Sequence, residues 1–330
     1  MTTTGTTMTT TEEDDDLQLV TTEKLLDRSL PRPVANEELS KKLRHVLEEG
    51  LADLAGRKKP LWISKARLAE TEGCEAFAEA RRAERFSWSE PAALGSLVDK
   101  AITIGLAKRS SAEACVEEAI SDIRREGKDL ARFLGSLGPV TRDLFKTNAI
   151  ELILQLLHSW PRFPLTNFES QVAMRAHLAG GSVVLSGTPD LVLGSLYSPD
   201  GLSRALVLDW KSGQVRPEHR VEQRFYALLA TLQAGRSPWR VATYYLTRQR
   251  SIVDEVNEGM LFQVAHQVIE VAHALDDLGA KRRHARYLLG ASCAWCPIAS
   301  VCPERTREDA SGPAQGSPGV GGDASSGWLT

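Results

Sequence analysis

The apolar pattern of the chain changes at about residue 168, and this change restricts the chain to a mixed fold. Before it, apolar residues recur at helical spacing over 37–54, 64–84, 92–107, 111–136 and 141–159. After it, short stretches rich in β-branched and other apolar residues alternate with glycine- and proline-containing turns, at 168–178, 182–185, 190–193 and 205–208. The pattern then predicts a helix at 218–232, a strand at 240–246 and a long helix from about 255 to 283. We therefore expect an α/β core with an antiparallel meander, and a helical layer in front of it.

Both ends of the chain have a low-complexity composition. Residues 1–16 are rich in threonine and end in five consecutive acidic residues, and residues 305–330 are rich in glycine and serine. Such segments cannot bury enough apolar surface to fold, so we expect both to be disordered. Between them we expect a helical N-terminal segment at 17–59 and one domain at 60–304.

The net charge does not select a partner. The formal net charge of −3 comes from the two acidic tails, because residues 17–304 carry 38 Lys and Arg against 35 Asp and Glu. A mildly basic body is compatible with nucleic acid but does not require it. No apolar run approaches the roughly 20 residues of a membrane span, and the N-terminus lacks a secretory pattern. We expect a cytoplasmic protein with no membrane partner, in which clustered cysteines bind metal more often than they form disulfides.

Two carboxylates and a lysine are predicted to meet at one end of the sheet. Asp190 begins one strand, and Asp209 ends the next, two positions before Lys211. Side chains alternate along a strand, so Asp209 and Lys211 share a face and Trp210 takes the other. Carboxylate oxygens suit Mg²⁺, which activates water and polarises a phosphodiester, and a nearby lysine can stabilise the developing charge. An Asp-x-Lys triplet alone is common by chance, so its position after Asp190 carries the argument.

These residues belong to a wider pattern. The pattern consists of Glu169, Gly187-Thr188-Pro189-Asp190, Asp209-Trp210-Lys211 and Gln223-Arg224-Phe225-Tyr226. It resembles the PD-(D/E)XK nuclease superfamily, and within it the RecB-like and CRISPR-associated exonuclease branch. The resemblance implies a restriction-endonuclease-like core over residues 60–304, with a mixed central sheet flanked by helices.

The resemblance also implies roles for these residues. Asp190 and Asp209 are the expected ligands of Mg²⁺ or Mn²⁺, together with the backbone carbonyl of Trp210 and an assisting carboxylate from Glu169. Lys211 is the expected catalytic lysine. Gln223 and Tyr226 are expected to contact the site and DNA, although the family spacing is more often Gln-x-x-x-Tyr.

Asp99 is a departure from the family pattern. Gly95-Ser96-Leu97-Val98-Asp99 resembles the family's Gly-x-x-x-His segment, with Asp99 in place of the histidine ligand. An aspartate can ligate Mg²⁺ or Mn²⁺, so we include Asp99 among the candidate metal ligands. The alternative is that Asp99 is an ordinary solvated helix residue.

Three cysteines close the predicted domain in the spacing Cys293-x₂-Cys296-x₅-Cys302. A four-thiolate site needs one more, and Cys74 and Cys115 are the candidates. The iron–sulfur members of the RecB-like branch have one cysteine before the core and three after it, which implies a [4Fe–4S] cluster on Cys74, Cys293, Cys296 and Cys302. Structural Zn²⁺ on the same four thiolates is the alternative.

The resemblance implies a metal-dependent DNA nuclease, expected to be an exonuclease in DNA repair, recombination or defence, with DNA and a helicase or other repair or defence protein as partners. One alternative is a catalytically inactive DNA-binding or scaffold protein that keeps the fold and the cluster. The other is a zinc-stabilised binding module with an incidental acidic pair. Arg216, Arg220 and Arg224 form either a stripe that binds the DNA backbone or a solvated helix face.

Overall fold

The computed structural model describes residues 19–27, 29–108, 110–160, 168–197 and 200–311. The predicted tail at 1–16 lies outside the described residues, as does the predicted C-terminal tail from 312 onward. Residues 305–311 of the predicted disordered tail at 305–330 belong to a helix, so the prediction of disorder is wrong for this part. The helices are α1 (Thr22–Leu25), α2 (Glu37–Gly50), α3 (Lys65–Gly73), α4 (Glu75–Ala83), α5 (Glu90–Lys108), α6 (Ala112–Glu126), α7 (Asp129–Ser136), α8 (Pro139–Ser159), α9 (Glu218–Ala234), α10 (Glu258–Gly279) and α11 (Pro303–Ser311).

Two predicted helices are each divided into two. The segment 64–84 forms α3 and α4, which are separated by Cys74 in an extended conformation (φ −166°). The segment 111–136 forms α6 and α7, which are separated by Gly127 with φ 63°, a left-handed conformation that favours glycine. Helical periodicity continues across both breaks, so the apolar pattern alone does not reveal them.

The described strands form two sheets. They are β1 (Val20–Thr21), β2 (Leu61–Ile63), β3 (Phe168–Ser170), β4 (Met174–Leu178), β5 (Val183–Gly187), β6 (Leu191–Leu193), β7 (Leu206–Lys211), β8 (Arg240–Tyr245) and β9 (Arg250–Glu255). The larger sheet has the order β1-β9-β8-β7-β6-β3, and the smaller has the order β2-β5-β4. Strands β7 and β8 are parallel and are connected through α9, and β2 is parallel to β5. The other pairings are antiparallel.

The prediction of one antiparallel meander is wrong in one respect, because its strands are divided between the two sheets. The predicted strand at 168–178 breaks at Gln171, where φ is 54°, so β3 stays in the larger sheet while β4 pairs with β5 in the smaller one. The sequence analysis also missed β9. The predicted long helix from 255 begins only at Glu258, after Asn257 caps it by accepting the N–H of Met260 at 2.9 Å.

The larger sheet lies between two apolar cores. Val207 belongs to a core shared with α2, α9, α10 and the smaller sheet, whereas Leu206, Leu208 and Trp210 belong to a core shared with α5, α6 and α8. The Trp210 ring packs edge-on against Trp160, with ring centres 5.0 Å apart. Alternation along β7 therefore directs the odd-numbered residues towards α9. The predicted α/β class, with a mixed sheet flanked by helices, is confirmed. No helix in the described part of the chain is long and apolar enough to cross a membrane.

Candidate active site

The antiparallel pairing of β6 with β7 brings Asp190 and Asp209 together. Leu191 is paired with Leu208, so Asp190 lies level with Asp209 at the end of this pair of strands. The backbone N–H of Trp210 donates a 2.8 Å hydrogen bond to Oδ2 of Asp190. The two predicted metal ligands are thus held by the sheet itself.

The turn that leads to Asp190 is fixed by a close approach to α9. A Cβ atom at Gly187 would lie 2.6 Å from Cε1 of Tyr226, so only glycine fits here without a shift of the tyrosine. Tyr226 is 2% exposed, and its hydroxyl accepts the backbone N–H of Thr188. Burial, together with the nearby charge of Asp190, raises the pKa of the Tyr226 hydroxyl. Tyr226, with a neutral hydroxyl group, therefore packs against the Gly187–Asp190 turn and holds it in place.

Asp209 is fully buried and has one oxygen without a partner. Its Oδ2 is ion-paired with Lys65 and lies 3.5 Å from Nζ of Lys211. No described residue donates a hydrogen bond to its Oδ1. An unsatisfied buried carboxylate oxygen is costly, and a bound cation would satisfy it. Asp209 and Asp190 are therefore residues that fit a divalent metal ion.

Lys211 lies between two acids. Its Nζ is 3.0 Å from Oε2 of Glu222 in α9, closer than it is to Asp209. Burial would raise the pKa of Glu222, but Lys211 and Lys65 outweigh this effect and lower it. Glu222 is therefore a charged partner that holds Lys211 in place.

Asp99 lies in the site rather than on a solvated helix face. The side-chain amide of Gln171 donates to Oδ1 of Asp99 at 3.1 Å and lies 3.4 Å from Oδ1 of Asp190, so it links the two carboxylates. Burial and the charge of Asp190 raise the pKa of Asp99 to about 7. Burial also raises the pKa of Asp190, while Lys65 acts in the opposite direction. Two neighbouring carboxylates disfavour each other's ionisation, so a positive charge close to them would be stabilising.

The carboxylates do not enclose a complete metal cage. Within the described residues, no group of three or more His, Cys, Asp or Glu side chains is placed to hold a metal ion. Mg²⁺ is commonly bound through one or two carboxylates, with water and substrate phosphate completing its coordination. The arrangement at Asp190 and Asp209 fits this mode, in which the substrate provides part of the site.

These side chains open onto a cavity of about 360 Å³, lined among others by Lys65, Asp99, Asp190, Asp209, Lys211 and Arg216. His219 also lines it, and its Nδ1 lies 2.9 Å from the hydroxyl of Tyr245. Burial and the charge of Lys211 lower the pKa of His219 to about 4, so this histidine is neutral. The cavity thus combines acidic and basic groups with room for a phosphate.

Two residues predicted for the site lie elsewhere. Glu169 is exposed in β3 and is paired with Val192, which lies two positions along β6 from Asp190. The residue of this segment that lies beside Asp190 is Gln171. Gln223 is 3% exposed, does not line the cavity, and has no hydrogen-bond partner for either side-chain amide atom among the described residues. Their proposed roles do not follow from these positions.

Sequence reasoning missed three residues of the site. The Gln-x-x-x-Tyr spacing, counted back from Tyr226, leads to Glu222 instead of Gln223, and this signal was present in the sequence. Lys65 directly follows Ser64, the cap of α3, and belongs to none of the motifs named above. For Gln171 no signal exists, since its place depends on the bend that ends β3.

The predicted arginine stripe is divided. Arg220 and Arg224 both bind Asp254 of β9, at 2.6 and 2.8 Å, so they serve to attach α9 to the sheet. Arg216 lines the cavity, and its guanidinium lies 4.2 Å from the ring centre of Trp295. Of the three, Arg216 is the one that faces the site.

The structure brings Cys74 next to the C-terminal cysteine segment. Cys74 belongs to a small apolar cluster against which Cys296 packs, and its Sγ accepts the N–H of Phe77 at 3.4 Å and of Leu288 at 3.5 Å. Sγ of Cys293 accepts the N–H of Gly290 at 3.4 Å. Hydrogen bonds to sulfur suit a thiolate ligand. In the described part of the chain, however, the four predicted sulfurs do not close around one centre.

Glu75 attaches the same segment to α4. It is 1% exposed and accepts hydrogen bonds from Arg283, at 2.6 and 2.9 Å, and from the Arg286 side chain at 2.8 Å. Burial would raise the pKa of Glu75, but these hydrogen bonds lower it to about 2. The remaining cysteine, Cys115, is fully buried in α6, away from this cluster.

Comparison with known proteins assigns the chain to a family. The sequence model of the PD-(D/E)XK nuclease superfamily matches residues 62–303, which is most of the chain. No curated protein matches the chain in sequence. Among solved structures, the chain is similar to a "Putative exonuclease" from Eubacterium rectale, at 13% identity and a TM-score of 0.44, over 72% of this chain and 87% of that chain. It is also similar to SSO0001, at 14% identity and a TM-score of 0.33, over 82% of this chain and 96% of that chain.

Proposed function

Because the chain belongs to the PD-(D/E)XK nuclease superfamily, we propose that it is a Mg²⁺- or Mn²⁺-dependent deoxyribonuclease that hydrolyses phosphodiester bonds. The observation that carries this proposal is that Oδ1 of buried Asp209 has no hydrogen-bond partner among the described residues. Asp209 lies beside Asp190, and its Oδ2 is 3.5 Å from Nζ of Lys211. These three groups open onto a cavity of about 360 Å³. A site for a cation, a cationic side chain and room for a phosphate are what phosphodiester hydrolysis needs.

Each side chain has a role that follows from its contacts. Asp190 and Oδ1 of Asp209 would hold the metal ion, with Asp99 close enough to Asp190 to contribute. A divalent cation bound there would lower the pKa of a coordinated water and polarise the scissile phosphate. Lys211 stabilises negative charge on the phosphate, and Glu222, whose Oε2 lies 3.0 Å from Nζ of Lys211, holds this ammonium group at the cavity wall.

Two further proposals rest on the motif resemblance. The first is that the enzyme is an exonuclease of the RecB-like type, acting on DNA in repair, recombination or defence together with a helicase or another protein of that process. The second is a [4Fe–4S] cluster on Cys74, Cys293, Cys296 and Cys302, with Zn²⁺ as the alternative. The packing of Cys296 against the small apolar cluster that contains Cys74 supports the second, because it brings together the two parts of the chain that supply the ligands.

The cluster proposal is tested on anaerobically purified protein. Iron and zinc analysis together with an absorbance spectrum distinguishes the two metals, and Cys115→Ser is the matched control because Cys115 lies outside the cluster. We expect metal content to be lost in Cys296→Ser and kept in Cys115→Ser. Equal metal content in the two variants would contradict the assignment.

The nuclease proposal is tested with end-labelled single- and double-stranded DNA in Mg²⁺, Mn²⁺ or a chelator. We expect cleavage that requires the metal and that Asp190→Asn lowers by about 100-fold or more. Asp53→Asn is the control, since the Asp53 side chain is 69% exposed and lies outside the cavity. DNA binding without cleavage by the wild-type protein would instead favour the inactive DNA-binding alternative, for which Asp99 in place of histidine is the supporting feature.

A further inference from the structure

Lys65 is a second lysine in the catalytic cavity, and the motif resemblance gives it no role. It is the first residue of α3, directly after Ser64, whose side-chain oxygen accepts the N–H of Arg67 at 3.2 Å. This cap fixes where α3 begins and therefore where Lys65 leaves the backbone. The Lys65 side chain is 22% exposed and lines the same cavity as Asp190 and Lys211.

The ammonium group of Lys65 lies between two carboxylates. It is ion-paired with Oδ2 of Asp209 and lies 3.6 Å from Oε2 of Glu222. It also lies 4.8 Å from the ring centre of Tyr226, a distance at which a cation is attracted to an aromatic face. A divalent metal ion would be attracted to the same point, because two carboxylate oxygens converge there.

Lys65 supplies one of the two ammonium charges in the carboxylate cluster. The cluster contains four carboxylates and two ammonium groups, from Asp99, Asp190, Asp209, Glu222, Lys65 and Lys211. Both ammonium groups lie against Oδ2 of Asp209, so Lys65 offsets part of the negative charge at the oxygen that a second metal ion would need. Without Lys65, Oδ2 of Asp209 and Oε2 of Glu222 would keep Lys211 as their one ammonium partner among the described residues, and their attraction for a second cation would rise.

We propose that Lys65 takes the place of a second metal ion, by bridging Asp209 and Glu222. It is a positioning residue: it engages Oδ2 of Asp209 and leaves Oδ1 for the single metal ion that the centre binds. The inference rests on the proposed function, since it takes Asp190 and Asp209 as the metal-binding residues. Lys211 remains the lysine that acts on the phosphate.

The test measures how many Mn²⁺ ions the full chain binds in the absence of DNA. The protein is titrated with Mn²⁺, and the electron paramagnetic resonance signal reports the concentration of free Mn²⁺. The variants are Lys65→Met, Lys65→Arg and the control Lys146→Met, whose lysine is ion-paired with Glu117 outside the catalytic cavity. We expect one Mn²⁺ per chain in the wild type, in Lys65→Arg and in Lys146→Met, and two in Lys65→Met. Two ions in the wild type, or one in Lys65→Met, would overturn the proposal. If Lys65→Met fails to fold, Lys65→Gln is judged by the same two outcomes.

A second measurement separates positioning from general damage. We expect kcat of Lys65→Met to fall about 10-fold or more while KM for DNA is nearly unchanged, and Lys65→Arg to restore most of kcat. A rise in KM with an unchanged kcat would contradict the positioning role. If the wild type bound one Mn²⁺ and Lys65→Met two, but neither cleaved DNA, the proposed function would fail while the inference about Lys65 would stand.

Discussion

Substitution of Gly187 by alanine tests how the turn before Asp190 is fixed. The added methyl group would lie 2.6 Å from Cε1 of Tyr226, whereas carbon atoms in contact lie about 3.5–4.0 Å apart. The Tyr226 ring would therefore have to move by about 1 Å. It is 2% exposed and bonded to the backbone of Thr188, so this movement strains the core. Overpacking of this kind costs about 2 kcal/mol, which corresponds to about 4–8 °C in Tm.

The assay combines urea unfolding with the rate of DNA cleavage. A displacement of Asp190 by a fraction of an ångström lowers kcat/KM, for which we expect a loss of about 10-fold or more. Gly73→Ala is the matched control, because nothing lies within 4 Å of a Cβ at that position. Tyr226→Leu in the Gly187→Ala background removes the clashing ring edge, so the two substitutions are expected to cost less together than the sum of their separate effects. Wild-type stability in Gly187→Ala, or strict additivity in the double variant, would refute the reasoning.

Two further predictions concern α9. In Glu222→Gln, Lys211 loses its nearest carboxylate, at 3.0 Å, so we expect the rate of cleavage to fall about 10-fold or more while the protein stays folded. An unchanged rate would show that Lys211 does not depend on Glu222. Burial would raise the pKa of Asp254, but the hydrogen bonds from Arg220 and Arg224 lower it. The contribution of the Asp254 carboxylate to stability is therefore present above about pH 4 and is lost as the pH falls further. Asp254→Asn should therefore cost about 2 kcal/mol at pH 7 in urea unfolding, with the two proteins converging below about pH 4; a constant difference would contradict this linkage.

The sequence was sufficient for those parts of the site that depend on strand geometry. Alternation along β7 places Asp209 and Lys211 on one face and Trp210 on the other, and the turn before Asp190 contains the residues that a turn requires. These features are local, so they can be read from the order of residues.

The remaining residues reach the site through tertiary packing. Lys65 is 144 residues from Asp209 along the chain, and Gln171 is 72 residues from Asp99. A contact of this kind depends on how α3 and the bend after β3 are positioned, which local periodicity does not encode. The same holds for the extended backbone of Cys74, because an apolar pattern continues through it.

The central claim is that Lys211, placed beside Asp190 and Asp209, acts in phosphodiester hydrolysis. It is tested most directly by single-turnover cleavage of labelled DNA by Lys211→Met, with Lys146→Met as the control. We expect Lys211→Met to lower the rate by about 100-fold or more while its circular dichroism and Mn²⁺ binding are retained. Cleavage by Lys211→Met within about threefold of the control would contradict the account, since a change of that size is below what loss of an active-site charge produces.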